Sequence, residues 1–176
     1  MPQKKTAIKT NALNRKNLRV GAFVDTQNLY HSAKNLYKAK VNFKEVLKHI
    51  VGARELVRAF AYVVRTESGE ETSFIEALEK AGYEIKSKDL QIFPGGFKKG
   101  DWDVGIAVDA IRLAEALDVI IIVSGDGDFR PLVEFLQFKG KIVEVAGFRK
   151  STSAKITEEA DFFHDLDQNS NKFLIK

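Results

Sequence analysis

The stretch Val119-Ile120-Ile121-Ile122-Val123-Ser124-Gly125-Asp126-Gly127-Asp128 decides the fold. Its five consecutive β-branched aliphatic residues present no polar face. Such a run predicts a strand over 118–123 buried on both sides, as strands are in a parallel sheet covered by helices. It is the longest purely aliphatic run and falls far short of the roughly 20 residues that a membrane helix requires. The abrupt change to Ser-Gly-Asp-Gly-Asp closes the strand with a tight acidic turn.

Working outward, the chain alternates strands with helices. A helix is expected over 129–138, with Pro131 in its first turn, then a buried strand over 141–145, a polar loop and a short helix near 153–160. On the other side, Val104, Ile106, Ala107, Ile111, Ala114 and Leu117 make an apolar stripe along a helix over 102–117. Further back, strands are expected at 20–25, 55–64 and 83–93, the last broken by Pro94-Gly95-Gly96. Helices are expected at 27–39, from Phe43 to about Gly52, and at 73–80. Buried strands alternating with helices imply right-handed crossovers and an α/β fold with a parallel sheet between helices.

The 176 residues suit one domain, and 44% apolar residues supply a sizeable core. No cysteine is present, which excludes disulfides, thiolate zinc sites and cysteine nucleophiles. With no charged-then-apolar leader before the first strand, a cytoplasmic protein is expected. The formal charge of +4 hides a strong asymmetry. Residues 1–19 carry six basic side chains and no acid, while the remainder carries −2. Within it, 101–128 hold seven acids against Arg112 alone, and 129–155 hold six bases against two acids. The organisation expected is a disordered basic arm over 1–18, a domain over 19–167 and a tail over 168–176.

Asp25 ends the first strand, and Asp126 and Asp128 follow the 118–123 strand. Ligands of open parallel sheets gather at the C-terminal strand ends, where the strand order reverses. If these two strands are neighbours there, the three carboxylates converge, and Asp101 and Asp103 approach from the start of the 102–117 helix. Taken singly, each aspartate is better explained as a helix cap, Asp101 most of all. Several carboxylates in one crevice repel one another unless a cation balances them. An all-oxygen set suits Mg²⁺ or Mn²⁺, which lowers the pKa of bound water and stabilises charge on a phosphodiester. The histidines His31, His49 and His164 are scattered and offer no zinc site.

Three segments carry a resemblance: Phe23-Val24-Asp25-Thr26-Gln27-Asn28-Leu29, Lys99-Gly100-Asp101-Trp102-Asp103-Val104-Gly105-Ile106-Ala107-Val108-Asp109 and Ser124-Gly125-Asp126-Gly127-Asp128-Phe129. In order and spacing the chain resembles the LabA-like NYN domains, a branch of the PIN-like metal-dependent ribonucleases, over about residues 19–165. The resemblance implies a three-layer αβα sandwich with a central, mainly parallel sheet and an acidic site at its C-terminal edge. It also implies that Asp25, Asp103, Asp126 and Asp128 bind one or two Mg²⁺ or Mn²⁺ ions and catalyse hydrolysis of RNA. Asn28 and Ser124 would position the ligands or the phosphate, and Lys99 and Arg130 would contact the RNA backbone. Asp101 is an alternative to Asp103. Asp109 also stands at a family-like position, but six residues along a helix it points about 120° away, which suits local pairing.

The basic arm and the 139–155 stretch would attract RNA phosphates without regard to sequence. Phe148 and Phe173, read as exposed, mark a possible homodimer contact. A PIN-like module that binds RNA with little cleavage is the alternative reading. A haloacid-dehalogenase-type phosphatase needs a second aspartate that Asp25-Thr26-Gln27-Asn28 lacks, and no G-x-G-x-x-G turn supports a dehydrogenase.

Overall fold

Val119–Val123 (β7) is wholly buried and pairs in parallel with Arg19–Asp25 (β1), in the register Val20↔Val119 through Val24↔Val123. The computed structural model describes residues 16–176. All but the last three residues of the expected 1–18 arm therefore lie outside the described residues. From β1 the chain passes through helices Thr26–Tyr37 (α1) and Phe43–Val51 (α2), with the two-residue strand Lys40–Val41 (β2) between them. It returns as Glu55–Arg65 (β3), followed by helix Thr72–Lys80 (α3) and strand Glu84–Asp89 (β4). A small hairpin, Gln91–Ile92 (β5) with Lys98–Lys99 (β6), leads into helix Asp103–Leu113 (α4) and then β7. Helix Arg130–Phe138 (α5), strand Ile142–Gly147 (β8), helix Ala154–Glu159 (α6), strand Phe162–Asp165 (β9), helix Ser170–Phe173 (α7) and strand Leu174–Ile175 (β10) complete the chain.

The main sheet has the order β4-β3-β1-β7-β8-β9 with every pairing parallel. Strand order therefore runs outward from β1 in one direction as far as β4, then jumps back to its other side at β7. The crevice between the C-terminal ends of β1 and β7 is the switch point. Side chains alternate across the pleat, and this sorts the core into two layers. Val20, Ala22, Val24, Val119, Ile121 and Val123 pack under α1, α2 and α3. Phe23, Phe60, Ile120 and Ile122 pack under α4, α5 and α6. Each of the three isoleucines is fully buried, a burial that contributes about 1.5–3 kcal/mol apiece.

Four expectations change. The stripe on α4 is displaced, because Val104 and Ile111 are exposed whereas Ile106, Asp109 and Ala110 face the sheet. Asp109 is accommodated there because it accepts a hydrogen bond from the Tyr62 hydroxyl at 2.8 Å and pairs with Lys86 Nζ at 2.9 Å. The strand β9 extends the sheet beyond β8, where only a loop and a helix were expected. Residues 168–176, set apart above as a tail, pack against the body: Phe173 and Leu174 are buried and β10 pairs antiparallel with β2. Phe148 and Phe173 are each only 1% exposed, so neither is available as a dimer contact. Phe173 is covered by the ring of His49, and Phe148 lies against Tyr37.

Candidate metal centre

The switch-point crevice is built from two strand ends and one helix start. Asp25 ends β1 and caps α1: its Oδ1 accepts the Asn28 N–H at 3.2 Å. The Asn28 side chain then reaches across to β7's loop, where its Oδ1 accepts the Gly125 N–H at 2.8 Å. Ser124 is buried at the end of β7. Its hydroxyl accepts the Asp126 N–H at 3.2 Å and donates to Asp25 Oδ2 at 3.5 Å. Asp126 in turn accepts the Asp128 N–H at 2.9 Å, capping the short 3-10 turn Gly127–Phe129. Capping and ligation are compatible here. A carboxylate oxygen that accepts one N–H keeps a further lone pair, and the carboxylate's second oxygen adds more acceptor sites.

Asp103 arrives from the opposite wall at the first turn of α4. Its N–H donates to Asp101 Oδ1 at 3.3 Å, so Asp101 serves the helix start. Trp102, which the sequence reading passed over, anchors this wall. Its indole N–H donates to the Val63 carbonyl at 3.0 Å and its ring packs on Tyr62. Gly105 leaves room for that ring, since a Cβ there would stand 2.5 Å from Trp102 Cε3. The sole tryptophan set between two aspartates, three residues before a glycine, was the available signal.

Asp103, Asp126 and Asp128 each place an oxygen such that all three atoms lie within 4.8 Å of one another. Asp25 lies beside them rather than among them, close enough to feel the charge of Asp126. Burial raises the Asp25 carboxyl above its ordinary range, and the charges of Asp126 and Asp101 add to this. The Asn28 N–H and Ser124 hydroxyl oppose it. Asp103 is pushed up to about 6, first by burial and then by the charges of Asp126, Asp101 and Asp25. The centre thus concentrates more negative charge than it balances internally. Three oxygen donors at this spacing fit a hard divalent cation, which would be held by Asp103, Asp126 and Asp128. Beyond Asp103 and Asp128, an apolar groove of about 370 Å³ runs between α4 and α5.

Arg130 pairs with Glu134 at 3.0 Å and with Glu159 at 3.8 Å. Lys99 is exposed on β6, four residues before Asp103. Within the basic 139–155 stretch, Arg149 pairs with Asp165 and Lys141 donates to the Leu117 carbonyl. Asp109 is occupied by Tyr62 and Lys86 and takes no part in the cluster.

The family model of the NYN domain matches residues 19–167. The chain belongs to the NYN family. Low amplitude and bright protein LabA of Synechococcus elongatus is 26% identical to this NYN protein over 157 residues, covering 84% of this chain and 83% of LabA. The crystal structure of VPA0982, a protein of unknown function from Vibrio parahaemolyticus, is similar at a TM-score of 0.83 and 34% identity. The match covers 91% of this chain and 98% of that one. No helix of this NYN domain is long and apolar enough to cross a membrane, among the described residues.

The glycine of the Ser124-Gly125-Asp126 turn is required by space. A Cβ at Gly125 would lie 2.7 Å from the Ser151 carbonyl oxygen, and the Gly125 carbonyl already accepts the Ser153 N–H. Backbone cannot withdraw as a flexible side chain can. Gly125→Ala is expected to destabilise the protein by about 1–3 kcal/mol, readable as a fall in melting temperature. An unchanged melting temperature would refute the steric account.

Proposed function

We propose that this NYN protein is a metal-dependent ribonuclease acting at the β1–β7 crevice. The observation that carries the reading is the convergence of Asp103, Asp126 and Asp128 within 4.8 Å at the sheet's switch point. These residues would hold Mg²⁺ or Mn²⁺, with Asp25 as a further carboxylate at the rim. When bound, the ion supplies Lewis-acid stabilisation of charge on a phosphodiester. Asn28 and Ser124 hold the acidic turn of β7, with Asp126 and Asp128, against β1. Lys99 is the cation best placed for the RNA backbone, because Arg130 is engaged with Glu134 and Glu159. The purified protein should cut single-stranded RNA with Mn²⁺ or Mg²⁺ and stop when the metal is chelated. RNA binding with no cleavage under either ion would replace the enzyme by a binding module.

Cation and proton compete for the same oxygens. With Asp103 raised to about 6, metal binding near that pH must displace a proton. Affinity for Mn²⁺ should therefore fall as the pH is lowered from 7.5 to 5.5, with proton release detected by calorimetry in buffers of different ionisation enthalpy. An affinity that stays flat across that range would refute the proton linkage.

A further inference from the structure

The hairpin β5–β6 has no core beneath it. Every residue from 91 to 99 is exposed, including Phe93 at 43% and Phe97 at 68%. Its register pairs Gln91 with Lys99 and Ile92 with Lys98, and the Phe93 N–H donates to the Phe97 carbonyl at 2.7 Å. Side chains two residues apart share a face. Phe93, Phe97, Gln91 and Lys99 therefore lie on one side, the two rings with centroids 6.2 Å apart. Gly95 and Gly96 adopt positive φ and close the hairpin tightly. Beyond their own cross-strand contact, these two rings bury little apolar surface. A ligand with flat apolar faces would give them a purpose.

The hairpin is also tied to the acidic centre. Gly100, directly after it, sits so close to Leu90 and Val64 that a Cβ would stand 2.8 Å and 2.9 Å from their methyl carbons. On β4, Lys88 donates to the Asp101 carbonyl and lies 4.7 Å from the Trp102 ring centroid. Asp103 stands only four positions after Lys99, a span of at most about 14 Å. A base-stacking pair, an amide and a cation thus stand on one face of a hairpin that runs directly into the start of α4, where Asp103 lies. Rings supply sequence-tolerant stacking for unpaired bases, and Lys98 and Lys99 supply attraction for phosphates.

We propose that the β5–β6 hairpin grips an unpaired polynucleotide strand, with bases stacked on Phe93 and Phe97 and phosphate on Lys99, and so leads it to the acidic centre. Delivery of that strand to the carboxylates rests on the reading of that site, whereas the hairpin's grip on unpaired bases does not. A duplex, whose bases are already stacked, offers the rings nothing.

The test uses fluorescence anisotropy on the full chain with metal chelated. The probes are a labelled single-stranded 12-mer RNA, the same length of abasic strand, a DNA strand of the same bases and an RNA duplex. Wild-type protein should bind the base-bearing RNA at least about tenfold more tightly than the abasic strand. Phe93→Ala with Phe97→Ala should erase that difference, whereas Phe93→Trp with Phe97→Trp should keep it. Since both rings are exposed, circular dichroism and the Mn²⁺-induced rise in melting temperature should be the same in all three proteins. The DNA strand should depend on the two rings as the RNA does. Unchanged binding in the alanine pair, wild-type binding in a Phe93→Leu, Phe97→Leu pair, DNA binding that ignores the rings, or preference for the duplex would overturn the proposal. Ring-dependent binding without cleavage under any metal would remove the nuclease reading and leave this one standing. Cleavage with ring-independent binding would do the reverse.

Discussion

Replacing Asp126 by Asn should lower the rate of metal-dependent RNA cleavage by at least about 100-fold, because Lewis-acid stabilisation is worth several kcal/mol and each 1.36 kcal/mol is a factor of ten. The substitution isolates charge from structure. An Asn side chain keeps the oxygen that accepts the Asp128 N–H, and Asn caps about as well as Asp. What disappears is one of the three clustered carboxylates and the largest charge effect on Asp103. The metal-free protein should show the opposite sign in stability. Between the ordinary carboxylate range and about 6, folded Asp103 retains a proton that the unfolded chain has already released, so stability falls as the pH rises through that window. Asp126→Asn relieves this repulsion. Its metal-free melting temperature should equal or exceed that of the wild type at pH 7.5, while the rise produced by Mn²⁺ should shrink or vanish. A variant that cleaves as fast as the wild type, or that keeps the full Mn²⁺-induced rise, would remove Asp126 from the centre.

How much of this could be read from the chain depended on the range of the determining contact. The strands β1 and β7 were legible because each is an apolar run buried on both faces, and β8 because it is apolar but for Glu144; their alternation with helices implied the parallel sheet. The β1 and β7 ends of the candidate centre were legible because their contacts are local: Asp25 and Asp126 cap the turns that follow them, and Asp126 holds the Asp128 N–H. The wall carrying Asp103 was harder. Its position depends on the Trp102 indole finding the Val63 carbonyl, 39 residues earlier, and no local pattern records that. Apolar periodicity misplaced the stripe of α4 because a carboxylate, Asp109, occupies a buried position that Tyr62 and Lys86 make tolerable. Burial raises the Tyr62 hydroxyl far above its ordinary range, and the Asp109 hydrogen bond and charge add to this, so the phenol stays a donor. The strand β9, Phe162-Phe163-His164-Asp165, is half polar and extends the sheet only because β8 offers an open edge. Phe173 looked exposed because the fold-back of β10 onto β2 joins residues over 130 positions apart.

Replacing Arg54 by Ala should cost about 3–5 kcal/mol, the range for leaving a buried charge without its partner. Arg54 lies just before β3, at the edge of the sheet opposite the acidic centre, and its side chain and that of Glu144 are both nearly buried. The guanidinium donates to both carboxylate oxygens at 2.7 and 2.9 Å, and to the carbonyls of Ile50 and Val51 at the end of α2. His164 Nε2 lies 2.7 Å from the same carboxylate. Burial works to raise the Glu144 carboxyl, yet the hydrogen bonds from His164 and Arg54 outweigh it and hold the group below its ordinary range. A depressed folded pKa contributes stability above the unfolded value, lost as the pH falls through the folded one. Without Arg54, burial pushes the other way, so the difference between variant and wild type should narrow as the pH is lowered from 7 towards 4. A double change, Arg54→Met with Glu144→Leu, removes both charges and should recover most of the loss, as apolar replacements of buried ion pairs commonly do. Against a typical stability of about 5–15 kcal/mol, the single variant lies near the limit of folding at 37 °C. Because the pair is remote from Asp103, Asp126 and Asp128, the Mn²⁺-induced rise in melting temperature should survive in any fraction that folds. Denaturant titration at pH 7 and pH 4.5 decides the matter. A loss below about 1 kcal/mol at pH 7, or one that widens in acid, would show that this ion pair does not hold α2 to the sheet.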